Sequence, residues 1–318
     1  MSLSNYFRNI IFCSIVFCAG YPFTSPAQNA TFNLLQGEEV YSSYCSACHG
    51  VAGDGKGPAA AAMNPAPRDF TNGVYKFRST PSGALPTDED LIKVINKGIP
   101  GTWMPGWKGI ISEKQSRAVI SFIKMFLNAE SVWDQPLPAP YLSEIAPEKS
   151  PDLINNGHGY YLLFDCWTCH GFEGKGKGPS SKTLKDSRGK LIKSKDLTRK
   201  DYKAGFTPHD IRKTFLTGLS GTPMPSYEGV FLIAKEDIDE EVYSLGFPKT
   251  AKEKFHDFVL DLPSRSYLDG LSDDERRKII IHNEWSLVYY VQSLVKNENW
   301  IDWLFRNSPD RDSISPGS

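Results

Sequence analysis

Apolar positions in this 318-residue chain recur at three- and four-residue spacing in several stretches, and nowhere in the strict alternation of a half-buried strand. In "LLQGEEVYSSYC" Leu34, Leu35, Val40 and Tyr41 share one helical face. "TDEDLIKVINKG" opens on Thr87 as N-cap with acids in the first turn, and stops at Gly98. "SEKQSRAVISFIKMFLNAE" opens on a Ser–Glu cap and sets Val119, Ile120, Ile123, Phe126 and Leu127 at helical spacing, with Met125 expected in the core. "SDDERRKIIIHNEWSLVYYVQSLV" closes the series. The pattern predicts an all-α protein. The Gly- and Pro-rich segments between its helices make poor free loops and would suit wrapping round a large rigid object.

Two interruptions divide the chain. Arg8 is the only charge before Glu38, Ile10 to Ala19 form a short apolar region, and Ser25-Pro26-Ala27 offers small residues to an export peptidase. The apolar run from Ile10 to Phe23 is 14 residues, short of the ~20 that cross a bilayer. Residues 1–27 therefore read as a signal peptide, which predicts a periplasmic protein with no stable transmembrane segment after cleavage. Further on, Pro136, Pro138, Pro140, Pro147 and Pro151 forbid a helix and mark a Pro-rich linker over 131–151. One domain is expected over 28–130 and a second over 152–300. The second carries an inserted segment at about 229–272, and a disordered tail follows at 301–318. Net charge is −1, which gives no reason to expect nucleic acid as a partner.

The two expected domains are copies of one another. "CSACHG" (45–50) returns as "CWTCHG" (166–171), "GDGKGPA" (53–59) as "GKGKGPS" (174–180), and "RDFTNGVYK" (68–76) as "KDLTRKDYK" (195–203). "TDEDLIKVINKGIPGTWMP" (87–105) returns as "TPHDIRKTFLTGLSGTPMP" (207–225). The chain holds only five methionines, yet two of them, Met104 and Met224, stand in one Gly-Thr-x-Met-Pro frame. Intervening loops differ in length while the span from His49 to Met104 and from His170 to Met224 barely changes. The two ends must therefore meet on an object of fixed size.

Cys-x-x-Cys-His supplies that object. Two thiols three positions apart on a helical turn can add to the two vinyl groups of a haem, which places the adjacent His beneath the iron. Cys45, Cys48, Cys166 and Cys169 would then attach two haem c groups, with His49 and His170 as axial ligands and Met104 and Met224 opposite them. A thioether favours ferrous iron and raises the reduction potential. With "CxxCHG", "GKGP" and a downstream "MP", each copy resembles a class I c-type cytochrome domain. The resemblance implies a small helical domain round one covalent haem, and it implies that the carbonyls of Pro58 and Pro179 accept the Nδ1–H of His49 and His170. It also implies single-electron transfer between redox partners, as in cytochrome subunits that link exported oxidoreductases or quinol-oxidising complexes to a terminal oxidase or reductase.

Other readings stand beside this one. A zinc site would need both Cys pairs together and leaves the His and Met unexplained. A thioredoxin-like pair would want a βαβ context. A dihaem peroxidase or sulfur-compound dehydrogenase would need an open or labile sixth position. Met63, 14 positions after His49, is a rival ligand without a counterpart in the second copy. His158, His209, His256 and His282 read as surface or capping residues, and Trp103, Trp107 and Trp167 as packing against the macrocycle. From Lys175 to Lys203 eleven Lys and Arg face three acids. Such a stretch could steer an acidic partner, pair with haem propionates, or simply be solvated.

Overall fold

The computed structural model describes residues 26–127, 133 and 145–295. All but the last two residues of the expected signal peptide, most of the Pro-rich linker and the tail at 301–318 lie outside them. The first half contains α1 (Pro26–Tyr44), α2 (Ser46–His49), α3 (Asp88–Lys97) and α4 (Glu113–Lys124). The second contains α5 (Pro151–Leu163), α6 (Cys166–His170), α7 (Pro208–Thr217), α8 (Glu240–Tyr243), α9 (Lys249–Asp261), α10 (Arg265–Asp269) and α11 (Asp273–Ser293). Among the described residues there is no strand, only two isolated bridges, so the all-helical reading stands.

Local signals account for the helix ends. Thr87 accepts from the Asp90 N–H while the Asp90 carboxylate takes the Thr87 N–H, a capping box, and α3 stops at Gly98. Ser112 caps α4, although its reciprocal partner is Gln115 rather than Glu113. The stretch to Leu127 is shorter as a helix than its periodicity suggests, and Met125, expected inside, is 50% exposed at the C-cap. Leu35 is likewise exposed, because the face that α1 buries runs through Gly37, Val40 and Tyr41.

Each half closes by crossing its first long helix over its last, α1 on α4 and α5 on α11. A glycine permits each crossing. A Cβ on Gly37 would stand 2.2 Å from the Ala118 carbonyl oxygen, and one on Gly157 would stand 1.9 Å from that of Ser286. Val40, Tyr41, Leu91, Ile95, Val119 and Ile120 form the first core. Tyr160, Leu162, Phe215, Leu216, Trp285 and Val288 anchor the second.

The segment at 229–272 builds core as well as surface. Phe231, Phe247, Phe255, Phe258 and Leu262 are buried in the second cluster, and Phe258 packs on Gly159, where a Cβ would meet its ring at 2.1 Å. This second layer explains why α11 is buried from Asn283 through Val291 without an amphipathic stripe. Two of its charged or amide members are satisfied, while the buried Trp285 indole N–H has no hydrogen-bond partner: Asn283 donates to the Phe231 carbonyl at 2.9 Å, and Arg212 on α7 donates to Glu284 at 3.0 Å.

The halves meet through equivalent positions. Lys93 contacts Asp210 at 2.6 Å, and its counterpart Lys213 lies 3.9 Å from Asp90, the counterpart of Asp210. Such reciprocal pairing is the signature of an isologous, two-fold-like interface. Buried Arg78 adds a hydrogen bond at 2.7 Å to the Thr217 carbonyl, and Arg188 one at 3.0 Å to the Pro67 carbonyl.

Alanine normally gains about 1 kcal/mol over glycine within a helix. Here the added methyl meets backbone that cannot step aside, and overpacking of this kind costs about 1–3 kcal/mol or more. Gly37→Ala and Gly157→Ala should each lower the urea-unfolding free energy by about 2 kcal/mol. A neutral or stabilising result in either would contradict the close crossing.

Candidate haem site

Four backbone hydrogen bonds fold the polypeptide after each Cys-x-x-Cys-His turn, and they are the same in both halves. The Gly55 N–H donates to the His49 carbonyl at 2.8 Å and the Gly57 N–H to that of Cys48 at 3.2 Å; Gly176 with His170 and Gly178 with Cys169 give 2.8 and 3.1 Å. Gly53 and Gly174 likewise donate to Gly50 and Gly171 at 3.2 and 3.0 Å. The next segment is then tied back, by Phe70 N–H to Gly53 at 2.7 Å and Leu197 N–H to Gly174 at 2.6 Å. Gly55 and Gly176 have φ of +73° and +69°. A Cβ on either would lie 2.8 Å from the carbonyl oxygen of the segment above, Pro67 or Ser194. Glycine is thus required both for the left-handed backbone and for the close approach.

This zipping places a carbonyl on each imidazole. His49 Nδ1 lies 2.9 Å from the Arg68 oxygen and His170 Nδ1 lies 2.9 Å from the Lys195 oxygen. The resemblance implied Pro58 and Pro179 as acceptors; in this structure the 68 and 195 carbonyls take that place, because the Gly55 and Gly176 approach brings them onto the ring. Burial, the larger influence, pushes both imidazoles below the ordinary histidine pKa despite the opposing hydrogen bond. Each ring is thereby held neutral, with Nδ1 engaged, as a metal-ligating histidine requires. Tyr41 and Tyr161 brace the turns from behind, donating to the Gly50 and Gly171 carbonyls at 2.7 and 2.6 Å.

The Gly-Thr-x-Met-Pro frame is a second matched device. Thr102 Oγ1 accepts from the Met104 N–H at 3.2 Å and donates to the Ile99 carbonyl at 2.8 Å, while the Ile99 N–H donates to the Met104 carbonyl at 3.0 Å. Thr222, Met224 and Leu219 repeat the arrangement at 3.2, 2.7 and 3.1 Å. The threonine is the scaffold that presents the sulfur.

In the first half these parts surround one cavity of about 1450 Å³, counting solvent at its open mouth. Cys45, Cys48, His49 and Met104 line it together, with Phe70, Leu91, Ile95, Trp107, Val119 and Ile123 forming apolar walls. Met63 is also on its wall, so geometry alone leaves that rival in place. In the second half Cys166, Trp167, Met224 and Tyr227 pack against one core. Burial pushes the Cys45 thiol up to about 11 and that of Cys166 to about 12, and all four cysteines are free of disulfides. Among the described residues no group of three or more His, Cys, Asp or Glu is placed to share a metal ion.

The remaining candidates disperse. Trp103 is 65% exposed at the cavity wall, Trp107 meets Tyr44 edge-on, and Trp167 stacks on Phe172 and meets Phe247 of the extra segment. None of the four other histidines lines the cavity. His158, expected at the surface, is half-buried and stacked on Tyr290, and burial lowers its pKa to about 4. His209 and His282 are exposed, and His256 pairs with Glu240. Sequence reasoning missed Gly37, Gly157, Tyr41, Tyr161, Thr102, Thr222 and the carbonyls of Arg68 and Lys195. Carrying the repeat upstream to "GEEVY" and "GHGYY" would have exposed the first four.

These features define a c-type cytochrome domain. Residues 32–123 match the family described as cytochrome C oxidase, cbb3-type, subunit III. A search of the curated proteins finds none that matches. Among solved structures, the chain is similar to a component of the Kuenenia stuttgartiensis reducing HAO-like protein complex Kustc0457/Kustc0458. The two are 33% identical with a TM-score of 0.62, over 82% of this chain and 96% of that one. The chain belongs to the same family as that component. Its cytochrome c domain implies covalently bound haem c and redox partners, and suggests electron transfer. The first cavity fits such a group: it is apolar, carries the two thiols and a neutral imidazole, and its wall includes the buried Tyr75 hydroxyl, which has no hydrogen-bond partner. No helix among the described residues is long and apolar enough to cross a membrane.

Thr102→Val and Thr222→Val keep the side-chain shape and remove the bond to the methionine amide. A bond of this kind contributes about 1 kcal/mol, so hydrogen exchange at the Met104 or Met224 amide should quicken roughly five- to tenfold. Unchanged protection would show that threonine does not hold the loop.

Proposed function

We propose that the chain is a tandem dihaem cytochrome c that carries single electrons between redox proteins outside the cytoplasm. Cys45 and Cys48 would hold one haem c, with His49 and Met104 as ligands; Cys166 and Cys169 would hold the other, with His170 and Met224. The observation that carries this reading is the matched scaffold, in which every bond that presents His49 and Met104 recurs for His170 and Met224.

Bound haem supplies reversible one-electron chemistry at iron. The protein's part would be to hold the group through His49 and Met104, or His170 and Met224, and to exclude water. Lining the first cavity with Phe70, Leu91, Ile95 and Val119 lowers the local dielectric, and a thioether ligand favours the reduced state. Held by His49 with Met104 and by His170 with Met224, neither group would offer a vacancy to a substrate, and the chain would act as a carrier or electron-transfer subunit rather than as an enzyme. The Kuenenia relative is itself a component of a reducing HAO-like protein complex, and this chain matches 96% of its length. That likeness supports the subunit role, in assembly with a HAO-like protein. The apolar N-terminal run and the two haem-attachment motifs support export to the periplasm.

Met104→Ala and Met224→Ala test the assignment separately. Each should remove part of the red-edge methionine-to-iron absorption band and lower one of two midpoint potentials while leaving the other in place. If either variant keeps its full spectrum and both midpoints, the ligand assignment fails at that site.

A further inference from the structure

Three cationic side chains stand on the wall of the first cavity: Arg68 and Lys76 from the first half and Lys203 from the second. Lys76 and Lys203 occupy equivalent positions of the repeat, and both also line the cleft at the seam between the halves. None of the three is in an ion pair among the described residues. The nearby carboxylates are engaged elsewhere. Asp69 accepts from Thr71, Asp186 from the backbone N–H groups of Arg188 and Lys190, and Asp201 from Lys195 and Arg199. Burial first, and then mutual repulsion, lowers the pKa of Arg68 and Lys76; the neighbours include Arg188 for both and Lys203 for Lys76.

A second observation points to the same place. The hydroxyl of Tyr75, a residue only 6% exposed on the cavity wall, is buried without a partner. Its counterpart Tyr202 is satisfied by the Leu197 carbonyl at 3.0 Å. The first site therefore holds an unmet donor and a cluster of three cations that Asp69, Asp186 and Asp201 offset only in part, against an apolar pocket. Charges so placed are costly unless an anion meets them.

We propose that Arg68, Lys76, Tyr75 and, from across the seam, Lys203 bind the carboxylate groups of the haem in the first cavity, so that the second half completes the first half's cofactor site. The proposal rests on haem occupancy of that cavity, as set out above. It makes Lys203 a cofactor-binding residue that couples the halves: its cation offsets carboxylate charge beside the iron of the first site and favours the reduced state of that haem.

The test is redox titration of the full-length haem-loaded protein carrying Lys203→Gln, Lys203→Arg or Lys93→Gln, with circular dichroism and haem content as checks on folding. Lys203→Gln should lower the midpoint that Met104→Ala also moves, and by more than the other; Lys203→Arg should restore it. Lys93→Gln breaks the Lys93–Asp210 contact without reaching the cavity, and should leave both midpoints in place. The proposal is overturned if Lys203→Gln moves neither midpoint or both equally, or if Lys93→Gln produces the same drop. A Lys203→Gln shift that appears only with added inorganic phosphate would also overturn it, since the cluster would then take a free oxyanion. A wild-type protein carrying one haem per chain, attached at Cys45 and Cys48, would sink the two-haem reading, yet a drop of its midpoint in Lys203→Gln would still uphold this one.

Discussion

One ring nitrogen of each motif histidine is tied to a backbone carbonyl, and most of what surrounds the two sites serves that tie. The Arg68 and Lys195 oxygens reach His49 and His170 only because the polypeptide after each Cys-x-x-Cys-His turn doubles back and is laced to it by the glycine N–H groups. The lacing in turn demands glycine at 55 and 176, where any side chain would strike the returning segment. Tyr41 and Tyr161 secure the other side of the turn, and the helices bearing them can seat there because Gly37 and Gly157 let α4 and α11 come within backbone contact. Helix crossing, turn and imidazole orientation thus form one chain of dependence.

Duplication gives this arrangement a further property. The halves associate through equivalent surfaces, with Lys93 and Lys213 each facing the other half's Asp210 and Asp90. The symmetry is incomplete where it matters chemically. Arg78 has Gly205 as its counterpart, and Tyr75 lacks the partner that Tyr202 has. The second half is also enlarged by the 229–272 segment, whose buried phenylalanines reach Trp167 inside the attachment motif. Two sites built on one plan therefore sit in different surroundings.

Much of this was legible in the sequence because covalent chemistry and helix periodicity leave local marks. The Cys-x-x-Cys-His turns, the methionine frame, Thr87 as a cap and Gly98 as a stop all depend on residues a few positions apart. Misreadings arose where tertiary contact overrides local pattern. Met125 and Leu35 fit a helical stripe yet point outward, because the actual crossing is centred on Gly37, a residue without any apolar signal. The Pro58 and Pro179 expectation failed for a related reason: the acceptor carbonyl belongs to a residue 19 or 25 positions away and has no side-chain signature. The extra segment gave no hint of its role because its phenylalanines acquire meaning only against Gly159 and α11.

The central claim is that one polypeptide holds two equivalent haem attachment points. Mass spectrometry of proteolytic fragments from the exported, mature protein addresses it most directly. The fragment with Cys45 and Cys48 and the fragment with Cys166 and Cys169 should each carry the mass of one covalent haem. Recovery of either fragment with both thiols unmodified, while the other bears haem, would contradict the account.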